Sequence, residues 1–299
     1  VKLVAYAPMD GDVSHGRTGI LADGAIHPIP DSGPDVAQLI GRDLDALAPE
    51  PALDAALVRV LAPLPHPGKI ICVGLNYHDH CREQGIQPPD YPMLFAKFAN
   101  AVSHPGDPVR RPRATEQLDL ECELGVVIGR RLSRVSPAEA LDGVFGYTVV
   151  NDVTMRDLQR EDRQWLRAKG SDGFAPMGPG VVTRGELGTG TGLRMRSAVN
   201  GETWQDSTTA EMVFDVPTLV AFISRTIGLE PGDLIATGTP AGVGHFQDPP
   251  RYLHEGDVMR CEIEGIGAIE NRVLDELPRP VDHAAAAGVA ELDVEEVRS

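Results

Sequence analysis

Apolar positions along this chain recur in short runs, broken by glycine, proline and polar turns, rather than in long stripes at helical spacing. Runs at 2–6, 17–21, 69–74, 102–109, 118–128, 144–151, 181–182, 193–199, 234–237, 258–263 and 266–273 read as strands. Helical stretches are expected at 78–85, 137–141, 154–167 and 215–227. Residues 35–61 alternate acidic and apolar positions at helical spacing, with prolines at 49, 51 and 63 as breaks. Strands therefore dominate from 69 to 275, no fixed-period repeat is evident, and the pattern predicts a strand-dominated α+β protein.

A Pro-rich stretch, Pro63-Leu64-Pro65-His66-Pro67-Gly68, divides the chain. It suggests a small N-terminal domain over 1–65 and a main domain over 66–280. The remainder, 281–299, is Ala-rich and then acidic, and reads as a docked helix or a frayed tail. Composition narrows the function classes. The 299 residues carry 27 Lys and Arg against 44 Asp and Glu, a formal charge of −17. That balance disfavours nucleic acid and anionic membrane surfaces, both of which need a cationic footprint. The 32 glycines and 25 prolines are spread between the apolar runs, as turns joining short strands would be. Cys72, Cys81, Cys122 and Cys261 form no CxxC pair and match no zinc spacing, so reduced thiols are expected. No cationic start precedes an apolar core at the beginning of the sequence, and no window approaches 18 uninterrupted apolar residues. A cytoplasmic protein with neither signal peptide nor membrane span is the expectation.

Five segments could carry chemistry. In Leu118-Asp119-Leu120-Glu121-Cys122-Glu123-Leu124, strand alternation places Glu121 and Glu123 on one side and Leu120, Cys122 and Leu124 on the other. A hard divalent cation is one reason to set two carboxylates side by side. A solvated strand face is the alternative, and for the pair alone the commoner one. Asp152 ends an apolar strand, where it suits a third carboxylate ligand or the N-cap of the next helix. Arg156 and Asp157 read from the residues alone as a surface pair, and Gln159 as either a site residue or a solvated one. Lys169, in Ala168-Lys169-Gly170-Ser171-Asp172-Gly173, is either a loop cation near an anionic ligand or an exposed lysine. His80 and Glu83, three apart in Gly74-Leu75-Asn76-Tyr77-His78-Asp79-His80-Cys81-Arg82-Glu83, would share the face of a short helix and hydrogen-bond, as a general base and its orienting carboxylate do. Finally, Thr237-Gly238-Thr239-Pro240-Ala241-Gly242-Val243-Gly244 follows a strand and could offer N–H and hydroxyl groups to a small anion. It is neither a Walker loop, a GxGxxG fingerprint nor a GxSxG elbow.

In this order, the five segments resemble the fumarylacetoacetate hydrolase family, over residues 69 to about 275. The closing run LHEGDVMRCEIEGIGAIENRV is similar to that family's last strands. The resemblance implies a mixed β-sandwich roll, a homodimer, a small N-terminal domain and a divalent cation, Mg²⁺ or Mn²⁺. It implies Glu121, Glu123 and Asp152 as ligands, and Lys169 facing the substrate. It also implies Gln159 beside the substrate, Thr239 at its carboxylate end, and His80 with Glu83 on a lid segment. Tyr77, Arg156 and Gly238 join the candidate substrate contacts, and Lys97 takes a structural role. Phe98, His104 and Met155 depart from the family's usual residues and are expected near the pocket mouth.

The chemistry implied is C–C cleavage of an acylpyruvate-like or 1,3-diketo acid. Water is activated by His80 and Glu83, and the cation and Lys169 stabilise the enolate. The alternative is a decarboxylase or isomerase of oxaloacetate or a 2-hydroxy-dienedioate from aromatic catabolism, since the same enolate serves all three reactions. A non-catalytic oxo-acid-binding protein is a further alternative, disfavoured by the intact set Glu121, Glu123, Asp152 and Lys169.

Overall fold

A computed structural model describes residues 1–277, apart from residues 10 and 45. The 281–299 tail lies outside the described residues. The strand-rich expectation holds, and the strands gather into two main sheets. The larger has twelve strands. Its centre runs Ala175–Thr183, Val144–Asn151, Cys122–Ile128, Leu234–Ala236, Ile70–Gly74 and Met93–Lys97 in spatial order. Most neighbours are antiparallel, but Leu234–Ala236 lies parallel to Ile70–Gly74. The second sheet has five strands, ordered Glu202–Thr208, Arg194–Val199, Val258–Ile263, Gly267–Asp275 and Val109–Arg111. The main core lies between the sheets, where Leu124, Val126, Tyr147 and Val149 meet Met195, Met259, Cys261 and Ile263. Strand Cys122–Ile128 is buried throughout its length. Glu123 apart, its residues are apolar on both faces, as in a strand covered on both sides.

The N-terminal segment is not set apart from this sheet. Lys2–Pro8 pairs antiparallel with Ala175–Thr183, Leu3 opposite Val181. Leu3, Ile29, Val36 and Leu39 share one apolar cluster with Ile70, Cys72 and Leu234. Within the Pro-rich stretch, Pro63, Leu64 and Pro67 are buried, so it packs as part of the body.

The helical reading of 35–61 fails. The segment holds two short 3₁₀ turns, Val36–Leu39 and Ala55–Leu57, and two short strands, Leu53–Asp54 and Val58–Leu61. Asp35 and Asp54 accept hydrogen bonds from the Ala37 and Ala56 N–H groups. Such local bonds compete with a helix, and Pro49 and Pro51 remove two donors. By contrast, helix Val216–Ser224 forms within the expected 215–227. The Asp215 carboxylate caps Thr218 N–H, Pro217 opens the first turn, and Leu219, Val220 and Ile223 bury one face. The expected helix at 154–167 divides into a short strand, Thr154–Met155, and helices Arg156–Glu161 and Leu166–Lys169. The strand expected over 118–128 breaks at Leu120-Glu121, where the chain changes partners. Leu118–Asp119 pairs with Thr154–Met155, and Cys122–Ile128 pairs with Val144–Asn151. That break is where the candidate site sits.

Candidate active site

Glu121, Glu123 and Asp152 are all buried, and each offers a carboxylate oxygen within 4.8 Å of the others. A solvated strand face is therefore ruled out for the two glutamates. Asp152 is not a helix cap either, since the next helix starts at Arg156 with Met155 before it.

Two buried lysines meet the triad. Lys169 Nζ donates to Glu121 Oε2 at 2.9 Å, Asp152 Oδ2 at 2.8 Å and Thr154 Oγ1 at 2.7 Å. It is 1% exposed, at the end of helix Leu166–Lys169, so the exposed-loop reading is corrected. Lys97 Nζ lies 2.7 Å from Asp152 Oδ1 in a fully buried ion pair. It also donates to the backbone carbonyls of Val153, Lys169 and Phe174, which knits three loops under the site.

Arg156 is buried, and its Nη1 lies 2.7 Å from Glu121 Oε1 while its Nε donates to Asp119 Oδ2 at 2.9 Å. The surface-pair reading of Arg156 and Asp157 is thus overturned. Asp157 instead accepts from Thr115 Oγ1 and the Glu116 N–H. Arg156 Nη1 also donates to Gln159 Oε1 at 3.1 Å, placing Gln159 at the site.

The electrostatics follow from this packing. Burial alone would raise Glu121, but the Lys169 and Arg156 charges outweigh it and hold the carboxyl at about 2. Glu123 goes the other way. Burial, then repulsion from Asp152 and Glu121, pushes it well above the ordinary carboxylate range. Its hydrogen-bond donor is the Gly238 N–H at 2.9 Å. Counting Asp119 and Arg156, four carboxylates face three cations, and among the described residues Glu123 is the carboxylate of this group without an ion-pair partner. A hard divalent cation, which takes oxygen ligands, fits that donor set and that deficit of positive charge.

Four amides of the glycine-rich loop and its end are already engaged inside the protein. Those amides hold the protein's own carboxylates. Gly238 N–H donates to Glu123, Gly242 N–H to Glu83 Oε2 at 2.9 Å, and Gly244 and His245 N–H to Asp119. Gly238 and Gly242 have φ of +99° and +103°. A Cβ at Gly242 would lie 2.2 Å from the Trp204 carbonyl oxygen, so only glycine fits there.

Helix His78–Glu83 pairs His80 Nδ1 with Glu83 Oε1 at 2.5 Å, as the spacing predicts. The Gln84 amide nitrogen lies 2.8 Å from His80 Nε2. With Nδ1–H donating to Glu83, Nε2 carries the lone pair.

A cavity of about 250 Å³ joins these parts. Glu121, Glu123, Lys169, Gln159, Thr239 and His80 all line it. Tyr77 does not: it is fully buried, with its hydroxyl on Met195 Sδ at 3.1 Å. Gly238 acts through Glu123 rather than from the wall. Phe98, His104 and Met155 also fall outside this cavity. Met155 is buried in the core, and His104 Nδ1 accepts from the Ala62 N–H.

The structure adds residues that the motifs did not single out. Asp119 is fully buried and accepts from Arg156, Gly244 and His245. Its signal was present, since Asp119, Glu121 and Glu123 alternate along one run. Asn76 bonds Thr237 and Phe214 and so ties the segment before helix His78–Glu83 to the sheet. Trp165, His245 and Phe246 complete the wall, and nothing in their local spacing announces it.

A buried acidic triad thus stands beside a His–Glu pair, and Glu121, Glu123 and His80 line one cavity, a donor set suited to a divalent cation next to a proton acceptor. The chain belongs to the fumarylacetoacetate hydrolase family. That family's C-terminal domain model matches residues 69–274. The oxaloacetate tautomerase, mitochondrial, of Xenopus laevis is 44% identical over 224 residues, 74% of this chain and 70% of that protein. A fumarylacetoacetate hydrolase structure from Exiguobacterium antarcticum is similar at 40% identity and TM-score 0.81, covering 92% of this chain and 99% of that one. A 2-hydroxyhepta-2,4-diene-1,7-dioate isomerase from Mycobacterium marinum is similar at 34% identity and TM-score 0.76, covering 93% and 99%. Among the described residues, no helix is long and apolar enough to cross a membrane.

Proposed function

We propose that this protein is a divalent-metal-dependent isomerase that interconverts keto and enol forms of a 2-oxo dicarboxylate of the oxaloacetate class. This takes the alternative reading of the sequence over C–C hydrolysis. It is favoured by relatives whose names are tautomerase and isomerase. The observation that carries it is one cavity lined by Glu121 and Glu123 of the triad and by His80 of the His80–Glu83 pair.

Glu121, Glu123 and Asp152 would hold the cation, which supplies Lewis-acid stabilisation to the 2-oxo acid head group. His80 Nε2 takes a proton from the carbon next to the carbonyl, and Glu83 steadies the imidazolium that results. Lys169 places its ammonium beside the oxygen on which negative charge develops. Gln159 and Thr239 orient the acid. His80 then delivers the proton to the oxygen, giving the enol; in the reverse direction it takes the enol O–H proton and delivers it to that carbon, and neither water nor C–C cleavage is required.

The test follows decay of the oxaloacetate enol absorbance with purified protein and Mg²⁺ or Mn²⁺. Acceleration that EDTA removes, and that H80A lowers, is expected. Hydrolysis is the second reading, favoured by the Exiguobacterium neighbour. Faster cleavage of acylpyruvates than enol decay would put it first.

A further inference from the structure

The acidic triad accounts for one end of the cavity, and the groups along another part of its wall remain to be explained. Arg160 and His245 both line the cavity, and neither takes part in the proton transfer proposed above. Arg160 donates to the neutral Gln117 Oε1 at 2.8 Å, and among the described residues no carboxylate forms an ion pair with it. Arg160 is exposed to solvent, so its guanidinium is open to an anion that enters the cavity.

His245 is held from three sides. Its backbone N–H donates to Asp119 Oδ2 at 3.0 Å, its Nδ1 lies 2.9 Å from Tyr252 Oη, and its ring meets Phe246 edge-on at 4.8 Å. When Tyr252 donates to Nδ1, the proton sits on Nε2 and makes that atom a hydrogen-bond donor. Arg156, on the same wall, keeps its buried Nη2 without a partner. The wall thus combines a buried Arg156 donor that lacks an acceptor, where buried donors are normally satisfied, with the exposed guanidinium of Arg160. Burial first, and then the charges of Arg156 and Arg160, hold His245 below the ordinary histidine range.

We propose that Arg160 and His245 form a second anion subsite, which seats the distal carboxylate of a dicarboxylate substrate whose 2-oxo acid head lies at the triad. This rests on the function proposed above and narrows its substrate class. An arginine fork and an oriented imidazole N–H suit a carboxylate. The subsite also addresses the charge problem set by a formal charge of −17, which repels a dianion at long range. Local cations at both ends of the cavity would offset that field where the substrate binds.

The experiment measures binding by titration calorimetry in Mg²⁺, with oxalate as a head-group probe and 2-oxoglutarate as a 2-oxo acid bearing a distal carboxylate. The KM for the oxaloacetate enol is measured alongside. R160Q and H245A are each expected to weaken 2-oxoglutarate binding and raise KM about tenfold, the size of one lost hydrogen bond to a charged group, with oxalate affinity kept within about twofold. R160K, which keeps the charge, should recover part of the loss. If H245A disturbs oxalate binding, H245Q is read in its place. Variants that leave both probes unchanged, or weaken both equally, overturn the subsite, as does a wild type that binds pyruvate as tightly as 2-oxoglutarate. A wild type that neither binds oxalate nor turns over the enol overturns the proposed function instead.

Discussion

Asp119 is the residue whose removal should be most costly, although it is not one of the three clustered carboxylates. It is fully buried and accepts hydrogen bonds from Arg156 Nε and from the Leu120, Gly244 and His245 N–H groups. In D119A, Arg156 keeps Glu121 but loses its other carboxylate, and the amides of the glycine-rich loop lose their acceptor. Breaking a buried ion pair by deleting one partner costs about 3–5 kcal/mol, and each orphaned buried donor adds about 1 kcal/mol or more. These terms overlap, so a net loss of about 4 kcal/mol is expected. For a chain of 299 residues that corresponds to a melting midpoint lower by about 6 °C. D119N keeps the shape and one acceptor oxygen, and should lose about half as much. Thermal melting by calorimetry, with and without Mg²⁺, reads both variants. A D119A protein that melts within about 2 °C of wild type would refute the reasoning.

Other consequences follow from the same geometry. Glu123 is held protonated by its surroundings to a higher pH than in the unfolded chain. The native state therefore binds the extra proton, and the metal-free protein should lose stability as pH rises above the ordinary glutamate value of 4.5. Melting in EDTA across pH 5–8 checks this, and E123Q should flatten the slope. Glu121 has the opposite sign. Its stabilisation is complete above 4.5 and is lost as pH falls towards about 2, which acid unfolding of E121Q against wild type would read. H80A should lower proton transfer by about 10²–10⁴-fold while Mg²⁺ affinity, measured by calorimetry, stays the same. G242A places a Cβ 2.2 Å from the Trp204 carbonyl at a φ of +103°, and should both lower the melting midpoint and loosen Glu83, seen as a weaker pH-rate limb.

Much of the site was legible because its chemistry recurs at fixed spacings. Two carboxylates two apart on a strand must share a face, and a His and Glu three apart on a helix must meet. What stayed hidden depends on contacts between distant segments. Asp119 shares the alternation of Glu121 and Glu123, yet its partners come from residues 156, 244 and 245. The glycine-rich loop shows its donors in the sequence but not their targets, which proved to be the protein's own carboxylates. Burial of Lys169 and Arg156 was equally invisible, because a charged side chain reads as solvent-exposed until its partners are known. In the fold, strand Glu202–Thr208 went unread because only Trp204 and Gln205 are buried, leaving no alternation to see. Residues 35–61 misled because their acidic positions, spaced as in a helix, instead cap isolated 3₁₀ turns.

The most direct measurement of the central claim is enol decay of oxaloacetate, followed by absorbance with the protein stripped of metal and then reloaded. No acceleration is predicted after stripping, full recovery with Mg²⁺ or Mn²⁺, and a large loss in H80A that reloading does not restore. Enol decay that the protein leaves at the spontaneous rate under every metal condition would contradict the account.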